Sequence, residues 1–360
     1  IWPRNTEYEI FTVGEHQHTL GALFVLNHHS IFSQGAPLWK PIAEQAKAEG
    51  ALMDMDKLDW PYAMTLPFTT GATLYELANN HMWRTEFGLT QWNSEAPAFM
   101  QPPGGGREGD EFDWLAYTLG QYYTLLNAGF PLVPTAGTAS GVHPVPAGFS
   151  RVYVNIDGPF SYDKWLEGLA AGRSFVTTGP LMFVKVNGEQ AGATIATDRT
   201  SLSAKIVSEH PLAAIEVVVN GKVVSNKAVE ALTPQNKLTP EGAFQSDVVA
   251  EIPIETSGWV CLRCTEDRPD KRLRFAHTAP WWLDIPDKPL RPSQQEKDYL
   301  MQRVQQEIVR STGVLPDSAL SEYKAALRHF ESLPIAEPNR ADATNNAEST
   351  SAAGEENAVD

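Results

Sequence analysis

The pattern of apolar residues changes near Pro180, and that change restricts the chain to a mixed fold with two unlike parts. Before it, short apolar runs alternate with amphipathic stretches. Residues 10–13, 22–26, 51–55, 130–134 and 151–156 read as strands bounded by polar or glycine residues. Residues 41–50, with Ile42, Ala43, Ala46 and Ala48 on the apolar side, read as a helix, as do 113–128 and 161–171. Residues 73–78 read as a further helix-like stretch. Alternation of strand and helix predicts a parallel α/β sheet or barrel.

After Pro180 the helical period is lost. Leu202, Ala204 and Ile206 alternate with polar residues, and Asn220-Gly221 between apolar runs is the strongest hairpin signal in the chain. With further strands at 246–252, 259–264 and 281–285, this part predicts an antiparallel β-sandwich. Ser293 and Glu296 have capping-box spacing and open a helix carrying Tyr299, Leu300, Val304 and Ile308; a second helix is expected over 318–333. From Pro334 the residues are mostly small, polar or acidic, which predicts a disordered tail. The expected division is an α/β unit over 1–178, a sandwich over 179–288, helices over 289–333 and a tail over 334–360.

Acidic residues outnumber basic ones by 44 to 28, a formal net charge of -16, which argues against nucleic acid or an anionic membrane as partner. The tail holds six acids and one arginine, so it carries -5 of that charge and leaves -11 to the rest. No apolar run approaches the ~20 residues of a membrane-spanning helix. The chain opens on Ile1 with neither an initiator methionine nor a signal segment, and it reads as processed or as a fragment. Its acidity and few cysteines are compatible with a secreted bacterial protein. Cys261 and Cys264 have C-x-x-C spacing but lie on an expected strand, where residues three apart face opposite sides. They read as two ordinary buried thiols rather than a metal or redox pair.

Six of the nine histidines (His16, His18, His28, His29, His81 and His143) fall in the α/β part. His16 and His18, two apart on an extended backbone beside Glu15, would face one side and suit Zn, Mn or Fe; they equally suit a solvated polar loop. Asp54 and Asp56 share one face at the end of an expected strand, followed by Lys57. That arrangement fits metal binding or acid–base work with a cation for an anionic group, or a charged strand exit. Asn79-Asn80-His81 fits a binding rim or a helix C-cap. Phosphate-loop, dinucleotide and H-E-x-x-H motifs are absent, and Ser140 stands one place too late for a G-x-S-x-G nucleophile elbow.

Gly137-Thr-Ala-Ser-Gly, Arg151-Val-Tyr-Val and the run Ala171-Gly-Arg-Ser-Phe-Val-Thr-Thr-Gly-Pro resemble the CehA/McbA branch of the PHP-domain metallohydrolases. The likeness covers roughly residues 10 to 285. It implies a distorted PHP-type (β/α) barrel with metals at the carboxyl ends of its strands, then a β-sandwich. It also implies hydrolysis of an ester, carbamate or phosphoester by metal-activated water. Under the resemblance Glu15 matches an early glutamate, and Asp54, Asp56 and His81 fall near positions that line the metal site. Lys57 and Asn80 would contact a small-molecule or glycan substrate. The chain departs from the family where it lacks the opening Asp-x-His-x-His, has Ala139 in place of a ligating aspartate, and has Ala22 where a histidine usually follows glycine. Two functions follow. The retained polar residues favour a metal-dependent hydrolase; the loss at Ala139 favours a degenerate relative that binds a ligand such as a glycan, for which ten Trp and ten Tyr supply stacking surfaces.

Overall fold

The structure is a computed structural model describing residues 4–11, 19–32, 38–56, 58–83, 96–101, 111–141, 144–196, 199–224 and 232–337. Glu15, His16, His18, Lys57, His143 and the expected tail beyond residue 337 lie outside the described residues. The fold is mixed α/β, with several sheets and a pair of C-terminal helices.

The first sheet has the order β1-β2-β3-β4-β5. β1 (Arg4–Phe11), β2 (Thr19–His28) and β3 (Leu52–Met55) are antiparallel neighbours, whereas β3, β4 (Leu74–Ala78) and β5 (Val133–Ala136) run parallel. α1 (Trp39–Ala48) and α2 (Leu66–Thr70) lie along the chain between these strands. β4 corrects the helix-like reading of 73–78. Its sequence, Leu-Tyr-Glu-Leu-Ala, is buried on both faces and so lacks the alternation that marks a half-exposed strand. β5 starts three residues later than expected. The chain up to Phe130 still closes the preceding helix, with Gly129 N–H donating to Leu126 O and Phe130 N–H to Leu125 O.

That helix, α3 (Glu111–Asn127), is buried on nearly every side, as befits an element between two layers. Toward the first sheet, Tyr75 Oη donates to Thr118 O at 2.8 Å, and the Tyr75 and Tyr122 rings lie 5.0 Å apart. Toward the second part of the molecule, Tyr123 Oη meets His277 Nε2 at 2.8 Å, and Trp259 Nε1 donates to Asn127 Oδ1 at 2.9 Å.

The second part places two sheets across one apolar core. One has the order β13 (Lys237–Leu238), β14 (Phe244–Pro253), β10 (Arg199–Ser208), β8 (Leu181–Val186). The other runs β12 (Lys222–Val223), β11 (Leu212–Val219), β15 (Gly258–Glu266), β16 (Phe275–Thr278), β7 (Ser174–Thr177), β6 (Arg151–Val154). β17 (Trp281–Leu283) joins β15 antiparallel and carries β9 (Thr194–Ile195) parallel to it. Leu202, Ile206, Val248 and Ile252 from the sheet of β10 and β14 meet Val217, Val260, Leu262 and Trp281 from the sheet built on β15. The expected alternation in β10 holds, with every second residue buried. Asn220 and Gly221 take φ of 48° and 84°, as the two-residue turn between β11 and β12 requires. β6 and β7 precede residue 178 but hydrogen-bond into this second sheet, through β16.

Cys261 and Cys264 lie on opposite faces of β15. Cys264 faces the core between the two sheets and Cys261 the core around α3, so both stay free thiols. Burial pushes Cys264 up to about 12 and Cys261 well above the usual thiol range, so neither is a thiolate at neutral pH.

α4 (Tyr162–Ala170) is capped by Ser161, whose Oγ accepts from Lys164 N at 3.2 Å. α5 (Gln294–Ser311) and α6 (Asp317–Ser332) pack on the first part: Gln121 Nε2 donates to Tyr299 Oη, and Arg303 Nη2 to Asp59 O. Glu322 on α6 supplies the cap that Leu38 cannot, accepting from Trp39 and Lys40 N–H at the start of α1. Pro334 to Glu337, the expected start of a disordered tail, are held in part by Ala336 N–H donating to Pro292 O at 2.9 Å. The capping box of α5 is formed as expected, with Ser293 N–H on Glu296 Oε2 and Glu296 N–H on Ser293 Oγ. Ser293→Ala should cost about 1 kcal/mol, read as a lowered urea midpoint at unchanged m-value. Among the described residues no helix is long and apolar enough to cross a membrane.

Candidate functional site

Ligands of α/β sheets gather beyond the carboxyl ends of the parallel strands, here where β3, β4 and β5 end. Register puts Asp54 beside Leu74 and Glu76 beside Thr135. Because alternate residues of a strand share a face, Asp54, Glu76 and Thr135 stand on the same side of the sheet. Thr135 Oγ1 donates to Asp54 Oδ2 at 2.5 Å although β4 lies between their strands. Strands two apart are separated by roughly 9.5 Å in a flat sheet, so this face is concave.

Asp54 is 7 % exposed, and its Oδ1 has no hydrogen-bond partner among the described residues. Burial pushes its pKa up to about 8, nearby Asp56 adds to the rise, and the bonds from Thr135 and the Met55 N–H only partly oppose it. A buried carboxylate with an orphaned oxygen is costly. Without a cation beside it, Asp54 holds its proton at neutral pH.

The segment after β4 forms the rim. Asn79 Oδ1 accepts from His81 N–H and opens a single 3₁₀ turn, Asn80–Met82. It therefore caps the beginning of a turn, not the end of a helix, because the residues before it are strand. Asn80 is buried, and the His81 ring stacks on Trp114 at 4.9 Å with an interplanar angle of 14°. The loop after β5 is tied to this rim. Gly137 N–H donates to Ala78 O, Thr138 Oγ1 to Ser150 O, and Ser150 Oγ to Asn79 O. A side chain at Gly137 would place its Cβ 2.9 Å from Glu76 Oε1, so glycine there leaves room for the Glu76 carboxylate. Ala139 adopts a left-handed φ of 49° in the same loop.

Of the residues singled out from sequence, Asp54 stands near the carboxyl end of β3 and Asp56 just after that strand, Asn80 and His81 come shortly after β4, and Glu15 and Lys57 are outside the described residues. His28 and His29 are at the opposite end. β2 runs antiparallel to β3, with Leu26 beside Leu52, and His29 N–H bonds to Glu49. Two residues were missed. Glu76 was hidden by the helix-like reading of its segment, although one glutamate inside a short apolar run was a usable signal. Thr135 fell one residue past the expected end of its strand. Among the described residues no three His, Cys, Asp or Glu side chains are grouped closely enough to hold an ion, so Asp54, Asp56 and His81 do not complete a metal site by themselves. The orphaned Asp54 Oδ1 fits one ligand position of a hard divalent cation. Compared with models of protein families and with curated protein sequences, the chain matches none.

Proposed function

We propose that the chain is a metal-dependent hydrolase of the PHP type, with the carboxyl ends of β3, β4 and β5 as its active centre. The observation that carries this reading is Asp54: a buried carboxyl, oriented by Thr135, with one oxygen unsatisfied on a concave face. The CehA/McbA resemblance supports it, and the curvature across β3 to β5 is compatible with part of a distorted barrel. Asp54 would be one ligand, with Asp56, His81 and Glu15 drawn on for the rest. A divalent metal (Zn, Mn or Fe) held there would supply water of pKa about 7 and polarisation of an ester, carbamate or phosphoester. The chain's own residues have three tasks. Thr135 keeps Oδ2 of Asp54 occupied, so that Oδ1 is the free donor atom. Asn80 offers a buried amide to the substrate, and Lys57 offers a cation. The His81–Trp114 stack fixes the imidazole plane.

A second reading is favoured by Ala139, which stands where the resemblance expects a ligating aspartate, and by the incomplete ligand group. It makes the chain a catalytically degenerate relative that binds a small molecule or glycan. Metal analysis by mass spectrometry on the purified chain, Asp54→Asn and His81→Ala separates the two. The hydrolase reading expects stoichiometric metal in the wild type, lost in Asp54→Asn, together with turnover on an ester or phosphoester panel. A folded, metal-free wild type inert on the whole panel supports the binding protein instead.

A further inference from the structure

We propose that Arg274 is a recognition residue for an oxyanion, a carboxylate or phosphate group carried by the ligand of the candidate site. The proposal takes its location from the reading above but needs no metal. The turn between β15 and β16 brings Arg268, Arg272 and Arg274 together, and only the first two are committed to acids. Arg268 pairs with Glu266 at 3.1 Å and Asp270 at 3.2 Å. Arg272 pairs with the buried Glu111 at 2.8 Å and also donates to Trp83 O. Arg274 has no carboxylate partner among the described residues; its one hydrogen bond runs from Nη1 to Leu273 O, 2.7 Å away.

Its guanidinium lies instead against two aromatic faces, 4.8 Å from the Phe149 ring centre and 5.6 Å from that of Trp83. Those rings meet edge to face at 5.1 Å and belong to the rim. Trp83 follows the Asn80–Met82 turn, and Phe149 precedes Ser150, which bonds to Asn79 O. A guanidinium carries five N–H donors in a planar fork, and among the described residues one bond is made here, to Leu273 O. That fork suits bidentate capture of a carboxylate or phosphate. The surroundings ask for an anion as well. Burial comes first among the causes that lower the Arg274 pKa, and the next two are the like charges of Arg268 and Arg272, only partly offset by Asp270 and Glu266. A half-buried cation with no carboxylate partner among the described residues is relieved in that field by a ligand of opposite charge.

Calorimetric titration of the full chain in chelator, with inorganic phosphate in one arm and acetate in the other, tests this. Saturable binding is expected in at least one arm, and which arm it is names the group. Arg274→Gln should weaken binding by about tenfold or more, and Arg274→Lys, which keeps the charge and loses the fork, by less. Circular dichroism checks that each variant is folded, and Arg274→Lys decides the matter if Arg274→Gln is not. Wild type binding neither anion, or Arg274 variants binding as tightly as wild type, overturns the proposal. Because metal is absent throughout, that failure leaves the metal content of Asp54→Asn untouched. Anion binding by a wild type that never acquires metal supports Arg274 while the hydrolase reading falls.

Discussion

Gly192→Ala is expected to destabilise the fold by about 4 kcal/mol or more. Gly192 has φ of 85°, and a Cβ built there falls 1.8 Å from Ala171 O and 2.9 Å from Ala171 C. Both are backbone atoms of the turn that ends α4, and Gly192 N–H is itself anchored to Pro280 O at 2.8 Å. The clashing atoms are backbone and cannot swing away as a side chain could, so the strain must move main chain where the end of α4 meets the segment between β8 and β9. Gly188 supplies the control, since its φ of 83° is nearly the same but nothing lies within 4 Å of its built Cβ. Gly188→Ala should cost only about 1 kcal/mol, the conformational part alone. Urea unfolding of both variants reads the difference, and equal losses would show that the contact with Ala171 does not matter.

Metal-free protein is expected to lose stability as pH rises through neutrality, and Asp54→Asn to abolish that loss. The Asp54 carboxyl has an ordinary value of 3.8 in the open chain and about 8 in the fold. Between those values the native state holds a proton that the unfolded state has released, so stability falls with rising pH, by about 1.4 kcal/mol per unit. His277 acts with the opposite sign. Burial, with Arg263 beside it, pushes its imidazole down from 6.5 to about 3. Over that range the unfolded chain takes up a proton that the fold refuses, and stability rises with pH. The two slopes oppose each other between about pH 4 and 6.5, and Asp54 alone remains from about 6.5 to 8. Urea unfolding in chelator at those last two pH values should show the wild type losing about 2 kcal/mol relative to Asp54→Asn. Adding a divalent cation should flatten the slope if Asp54 is a ligand, because the metal then takes the place of the proton. Parallel curves for wild type and variant in chelator would mean that the carboxyl is not desolvated.

Local signals are legible in the chain and non-local ones are not. The alternation in β10, the Asn220-Gly221 turn, the Ser293/Glu296 capping box and the opposite faces of Cys261 and Cys264 each depend on a few adjacent residues, and each is realised. β4 was misread because a strand buried on both faces carries no period-two signature, and that error concealed Glu76. At the site, the alternation of Asp54 and Asp56 and the cluster of Asn80 and His81 are visible in spacing alone. Thr135 is not, since its role depends on reaching over β4 to Asp54.

The sequence by itself determined the type and turn chemistry of most elements, because periodicity reports which face of an element avoids water. Only the tertiary structure decided which sheet receives β6 and β7, what the two faces of α3 pack against, and that Arg274 meets Trp83 and Phe149. A buried face is satisfied by any apolar partner of suitable shape. The choice among partners is made by loop closure and by polar bonds between residues more than a hundred positions apart, such as Trp259 with Asn127, which no window along the chain contains.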